Sequence, residues 1–462
     1  MRKLGGFLRP ITVAALLFAL ANPIASFAQH TDDSLVEPQA NLLADAAQAL
    51  IPVLRGSNEP ARVFTSTFLH EVPADQVIAL FAQLRAQHGN PQTIASITPE
   101  DAATQALIVV RYERALLHFQ TYVGSDGKIS GLRYVNATIE NDSFAQIGSE
   151  FSALPGNVAW GVFRLDNDGT LAVLSGAEPQ RDMAIGSSFK LAILATLDDD
   201  IRHNRAEWTD IVRIDRQSVP FSGILGWPMG APMTVHTLAT LMISRSDNRA
   251  TDILLHHLGR EHVEAFARRH GGLSGPHAFP LLSTLEATAL KNPALGTVRD
   301  AWLTGSEADR RRALTQSAAR LTPDNVDYAV FEQAPADITT IEWFASPQSI
   351  AQLLGWLARN GSAETSAILA INPGIPAAAA RDWTYVGYKG GSEPGVIAMN
   401  LLLRNAEGQN FIIAAAWNNP QAAVDDDAFI GLVTRLAAAT RTGGAAARPA
   451  QATPDEPAPP RP

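Results

Sequence analysis

Ile185-Gly186-Ser187-Ser188-Phe189-Lys190-Leu191-Ala192-Ile193-Leu194 is the stretch on which the reading of this chain turns. A glycine precedes the serines and an unbroken apolar run follows, so Ser187 falls in the first turn of a buried helix and shares one helical face with Lys190. The unpaired N–H groups and positive dipole end of a helix start favour negative charge developing beside Ser187. A lysine ammonium loses its proton when desolvated, whereas a guanidinium does not, so a base for Ser187 has to be Lys rather than Arg. The chain holds 31 arginines and five lysines, which makes Lys190 informative. By itself the motif has a second reading, with Ser187 as a plain N-cap.

Two later segments bear on that choice. Met233-Thr234-Val235 opens a helical pattern with Thr234 as N-cap and apolar Val235, Leu238, Leu241 and Met242. Ser246-Asp247-Asn248 interrupts it, and a second helix then runs through Ile253, Leu254 and Leu258 to a stop at Gly259. A short polar connector between two core helices can present its side chains to a cleft; capping of the second helix by Asp247 or Asn248 is equally open. Further on, Trp383 to Tyr388 and Val396 to Leu403 read as strands, with Lys389-Gly390-Gly391 at the end of the first. Glycines there let a substrate backbone approach the strand edge and leave the N–H of Ser392 to point at an oxyanion. The other reading is a glycine turn with a surface lysine. Ser125-Asp126-Gly127-Lys128 repeats the Ser-x-x-Lys spacing, but Asp-Gly between two alternating runs marks a hairpin turn. Lys3, Lys128 and Lys291 are assigned to composition.

Taken in order, Ser-x-x-Lys, Ser-Asp-Asn and a Lys-Gly-Gly strand resemble the motif set of class A β-lactamases and penicillin-binding proteins, over about residues 157 to 440. The resemblance implies a nucleophile, Ser187, and a base, Lys190, whose pKa is lowered by burial and by Lys389. It implies that Ser246 relays the proton to the leaving group and that the N–H groups of Ser187 and Ser392, beside Gly391, hold the oxyanion. Asn248 would bind the substrate's acyl amide, Lys389 would attract a carboxylate, and Asp247 would brace the loop. Two departures stand out. Gly390 replaces the usual Thr or Ser, and no Glu-x-x-Leu-Asn follows the second motif. The nearest substitute is Glu286 in Ser283-Thr284-Leu285-Glu286, one residue out of register, to be weighed as a deacylation residue against an ordinary helix-start glutamate. The implied activity is that of a serine hydrolase attacking a β-lactam, amide or ester carbonyl through an acyl-enzyme, as β-lactamase, esterase or D,D-peptidase-like enzyme. The competing class is a non-catalytic penicillin-binding sensor or scaffold, acylated once or not at all.

The remaining sequence sets the context. Met1-Arg2-Lys3, an apolar stretch from Ile11 to Ala21, and Ser26-Phe27-Ala28 have the three parts of a secretory signal, cleaved after Ala28. A periplasmic or secreted protein with no stable membrane anchor is expected, a retained signal anchor being the second reading. The chain has no cysteine, hence no disulfides or zinc-thiolate site. Its net charge of −10 argues against nucleic acid, and the resemblance implies a small-molecule partner, a β-lactam, ester or peptidoglycan-like peptide. No cofactor or metal is expected, because His256-His257 are adjacent and no His-Glu-x-x-His occurs. The domain reading is signal 1–28, linker 29–35, an α+β unit 36–150, an α/β hydrolase 151–441 and a disordered tail 442–462. In the α+β unit, helices over Leu42 to Leu54 and Ala74 to His88 precede strands over Ala106–Tyr112, Ala115–Val123 and Lys128–Val135. This arrangement resembles the NTF2 or cystatin-like cones fused to serine hydrolases of clavulanic-acid gene clusters. The main unit carries the order of a β-lactamase-like fold: a hairpin at Asn157–Ser175, the motif helices, three later strands and a closing helix. The Trp227-Pro228-Met229-Gly230 loop is open to two readings, a pocket wall or an apolar plug.

Overall fold

A computed structural model describes residues 36–57, 59–100, 104–139, 142–219, 222–330 and 334–441. The expected signal, linker and tail lie outside the described residues. The chain divides into two units between Asn141 and Asp142.

In the first unit, helices α1 (Val36–Leu54), α2 (Pro60–Val63), α3 (Ser66–Glu71) and α4 (Ala74–His88) precede an antiparallel meander. Its strands are β1 (Pro91–Pro99), β2 (Gln105–Tyr112), β3 (Leu116–Val123) and β4 (Ile129–Thr138), in that spatial order. Leu50, Leu54, Phe68 and Phe81 pack against Ile108, Val110, Leu117 and Phe119 in one apolar core. Strand β1 escapes sequence reading because a proline stands at each end and only Pro91 is buried, the pattern of an edge strand. The Ser-x-x-Lys copy at 125–128 is indeed the β3–β4 turn: Gly124 N donates to Lys128 O at 2.8 Å, Gly127 has φ 76°, and Lys128 Nζ donates to Ala61 O at 2.8 Å.

The second unit opens with α5 (Phe144–Ala153), β5 (Asn157–Leu165) and β6 (Leu171–Ala177). Helices α6 (Lys190–Arg202), α7 (Val235–Ser244), α8 (Asn248–Leu258), α9 (Arg260–His270) and α10 (Thr284–Leu290) follow, with two short ladders among them. These pair β7 (Met183–Ala184) with β10 (Phe344–Ala345), and β8 (Ile211–Arg213) with β9 (Pro232–Thr234). Strands β11 (Tyr385–Glu393), β12 (Val396–Arg404) and β13 (Asn410–Asn418) complete a five-stranded antiparallel sheet ordered β11-β12-β13-β5-β6, and helix Asp426–Arg441 closes the chain. Alternation sorts the strand side chains into two cores. Val396, Ala398, Leu402, Ile412, Ala414 and Ala416 face the motif helices and helix Pro347–Asn360, whereas Ile397, Met399, Leu401, Ile413, Ala415 and Trp417 face α5 and the last helix. On β11 the same alternation sends Val386 and Tyr388 to the second face and Tyr385 to the first. Lys389, Gly391 and Glu393 therefore share the face of the motif helices.

Helix α5, which a boundary at 150 would split, belongs wholly to the second unit. Phe151 stacks on Trp160 with ring centroids 5.5 Å apart. Arg435 of the last helix, its side chain 11% exposed, donates to Asp142 Oδ2 at 2.7 Å and to Glu150 Oε2 at 2.6 Å. These bonds raise the Arg435 pKa further against the opposing effect of burial. Arg435→Leu leaves two carboxylates facing each other and is expected to lower stability by about 3 kcal/mol, read as an earlier urea midpoint at unchanged slope.

Candidate active site

Ser187 lies in a 3-10 turn, Gly186–Phe189, that runs straight into α6. Two contacts fix the turn from behind: Ile185 N donates to Trp343 O at 2.9 Å, and the Phe189 ring stacks on Trp343 at 4.3 Å between centroids. Strand β11 closes on it from the front. Gly186 has φ 48°, and a β-carbon there would stand 3.1 Å from Ser392 N. One on Gly391 would fall inside van der Waals contact with Ser187 N and Ile185 O. Both glycines are thus required by close backbone approach, and that approach brings the Ser392 N–H to the Ser187 turn.

The three motifs meet in one polar network. Lys190, fully buried, has its Nζ 2.6 Å from Ser246 O, 2.8 Å from Asn248 Oδ1 and 3.2 Å from Ser246 Oγ. Lys389 Nζ donates to Ser246 Oγ at 3.1 Å and to Gly390 O at 2.5 Å. Burial and the neighbouring Lys389 hold Lys190 well below the ordinary lysine range, against the opposing pull of Asp252 and Asp247. Burial alone brings Lys389 down to about 7. A neutral Lys190 has two N–H bonds and one lone pair. Its two donors go to the carbonyl oxygens of Ser246 and Asn248, which only accept, and the lone pair is left for the Ser246 hydroxyl. Ser246 sits between the two amines with φ 55°, a left-handed conformation that a serine holds only where its surroundings enforce it. Among the described residues Ser187 Oγ has no hydrogen bond, and the Ser187–Lys190 contact that sequence reading calls for is not formed here.

Lys389 also ties the cleft to stability. Unfolded, its ammonium titrates near 10.5, and folded near 7, so between those values the unfolded chain binds more protons. This residue's contribution to folding therefore grows as pH rises through that window.

Polar residues outside the motifs hold them in place. Asn400, the one polar residue between Val396 and Leu403, donates to Ser188 Oγ at 2.8 Å and to Lys389 O at 3.0 Å, fastening the strand to the Ser187 turn. A polar residue inside an apolar strand run was the available signal for it. Asp252, pushed up to about 6 by burial, accepts from Thr284 N and Thr284 Oγ1 at 2.7 Å each. Asp247 caps α8 through Ala250 N at 2.9 Å and accepts from Ser222 Oγ at 2.8 Å, which is a bracing role. Arg249, the next residue but one, is buried and donates to the carbonyls of Arg216, Ile224, Leu225 and Trp227. Trp227 is nonetheless 47% exposed and Met229 57%, so the loop is not a buried apolar plug.

Glu286 is placed elsewhere. It forms a capping box with Ser283, whose N–H donates to Oε2 at 2.8 Å, and its Oε1 pairs with Arg260 at 2.7 Å. Burial pushes its pKa up, but Arg260 and the cap bonds outweigh this and leave it below the usual range. Both oxygens are engaged away from Ser187, Lys190 and Ser246. Serines 187 and 246, lysines 190 and 389, Asn248, Gly391 and Ser392 converge; Glu286 does not join them.

Residues 143–440 match the sequence profile described as the β-lactamase enzyme family. No curated protein sequence matches the chain. Among solved structures, a β-lactamase from Sphaerobacter thermophilus aligns at 19% identity and TM-score 0.43, over 66% of this chain and 98% of its own. A β-lactamase from Chitinophaga pinensis aligns at 15% identity and TM-score 0.43, over 64% and 97%. The protein titled PBP-A aligns at 14% identity and TM-score 0.44, over 65% and 96%.

Proposed function

The chain belongs to the β-lactamase enzyme family through residues 143–440, and from that premise we propose that it is an exported active-site-serine hydrolase working through a Ser187 acyl-enzyme. The observation that carries this reading is the unbroken Lys190–Ser246–Lys389 network beside the Ser187 turn. Ser187 Oγ attacks a β-lactam, amide or ester carbonyl as its proton passes to Lys190, either directly after a side-chain rotation or through Ser246. The N–H groups of Ser187 and Ser392 take the developing oxyanion, each worth about 3 kcal/mol in such sites. Ser246, fed by Lys190, returns the proton to the leaving nitrogen or oxygen. Lys389 supplies positive potential for an anionic substrate, a role strongest below its pKa of about 7. Esters, β-lactams and peptidoglycan-like peptides share this carbonyl chemistry.

Intact-mass measurement after mixing with a cephalosporin, together with p-nitrophenyl ester turnover, tests the reading. Adduct formation and ester turnover are both expected to disappear in Ser187→Ala; turnover that survives the substitution refutes it. A second reading, a sensor acylated once, is favoured by the engagement of Glu286 in its cap and ion pair. A permanent adduct without turnover would select it. Export rests on the secretory pattern of residues 1–28. For the first unit we propose an NTF2 or cystatin-like domain, supported by a helical layer followed by a four-stranded meander.

A further inference from the structure

Lys291, which composition alone would explain, lies buried with its side chain 2% exposed, between two carboxylates. Its Nζ stands 3.4 Å from Glu342 Oε1 and donates to Glu393 Oε1 in a short ion pair. The Glu342 side chain is 1% exposed and that of Glu393 17%. Three segments meet in this cluster, and two of them lie against the Ser187 turn. Lys291 follows α10. Glu342 precedes Trp343, whose carbonyl and ring hold Ile185 and Phe189 on either side of Ser187, and whose N–H donates to Glu342 Oε2 at 2.9 Å. Glu393 ends β11, on the same face as Lys389 and Gly391. It starts roughly 7 Å along the strand from Gly391, where an added β-carbon would meet Ser187 N, on the side away from Lys389. Nothing in the acylation chemistry uses these groups, and an acyl-enzyme without a carboxylate to activate water is left unresolved.

We propose that Glu393 is the carboxylate that activates the deacylating water, with Lys291 and Glu342 as its positioning residues. The proposal rests on the acyl-enzyme reading above. Water gives one proton to Glu393 as its oxygen bonds to the acyl carbon. Collapse of the adduct breaks the bond from that carbon to Ser187 Oγ, which takes the proton back from Glu393, so serine and carboxylate end as they began and the acyl group leaves as an acid. Burial and the Glu342 carboxylate raise the proton affinity of Glu393, and Lys291 opposes them. A base poised in this way transfers protons efficiently near its own pKa.

The test follows acylation and adduct decay separately, by rapid-mix intact mass with a p-nitrophenyl ester and a cephalosporin. In Glu393→Gln, acylation is expected to stay within about threefold of wild type while adduct decay slows about a hundredfold. Decay unchanged by this substitution overturns the proposal and leaves the acyl-enzyme intact; a wild-type adduct that never decays does the same. A wild type that forms no adduct on Ser187 removes the acyl-enzyme and this proposal together. Glu342→Gln separates catalysis from packing, and covers the case in which Glu393→Gln fails to fold. Loss of the Glu342 charge lowers the pKa of Glu393, so the rising limb of the deacylation pH profile should move to lower pH. A limb that stays in place, with decay slowed equally at every pH, reduces the cluster to a structural part and overturns the proposal.

Discussion

Lys190→Met is expected to lower the rate of Ser187 acylation by about a thousandfold while leaving the fold in place. The amine occupies the centre of the network, within 3.2 Å of three oxygens from the second motif, and it is one helical turn from Ser187, whereas Lys389, the other amine on Ser246 Oγ, belongs to the facing strand. Lys190→Arg should fail as fully, because a guanidinium cannot lose the proton that a base must first have lost. In wild type the acylation rate should rise with pH as Lys190 deprotonates and level off above its depressed pKa. That limb should vanish in Lys190→Met. Rapid-mix adduct formation across pH checks both points, and an acylation rate within tenfold of wild type in the methionine variant would remove Lys190 from the mechanism.

Gly391→Ala should reduce kcat/KM by at least about a hundredfold, through geometry alone. The added methyl meets Ser187 N and Ile185 O, both backbone atoms that cannot rotate aside, so β11 and the nucleophile turn must separate. Separation withdraws the Ser392 N–H from the oxyanion position, and one misplaced donor costs two to three orders of magnitude in comparable sites. Gly431→Ala in the closing helix meets nothing within 4 Å and serves as the control. It should leave activity unchanged and raise stability by up to about 1 kcal/mol. Equal activity in the two variants would show that the strand does not deliver the oxyanion donor.

Much of the site is local chemistry, and this is why it could be read in one dimension. Ser187 and Lys190 are one helical turn apart, Ser246, Asp247 and Asn248 occupy one connector, and Lys389 through Ser392 follow one another on a strand, so each group of side chains has its relative placement set by backbone periodicity. Glu286 shows the limit of such reading. Its sequence position suits a helix-start base, yet Arg260, distant in sequence and adjacent in space, takes the carboxylate.

From residue order alone came the β-lactamase-like fold class, the three motifs and the hairpin identity of the Ser125–Lys128 copy, because helix starts, turns and strand alternation are consequences of neighbours along the chain. Tertiary structure decided which of the four lysines among the described residues are buried, that Asn400 clips strand β11 to the Ser187 turn, and that Lys291 is held by Glu342 and Glu393. Those facts depend on desolvation and on charges brought together from segments 51 and 102 residues apart, and neither quantity is written in any local stretch of sequence.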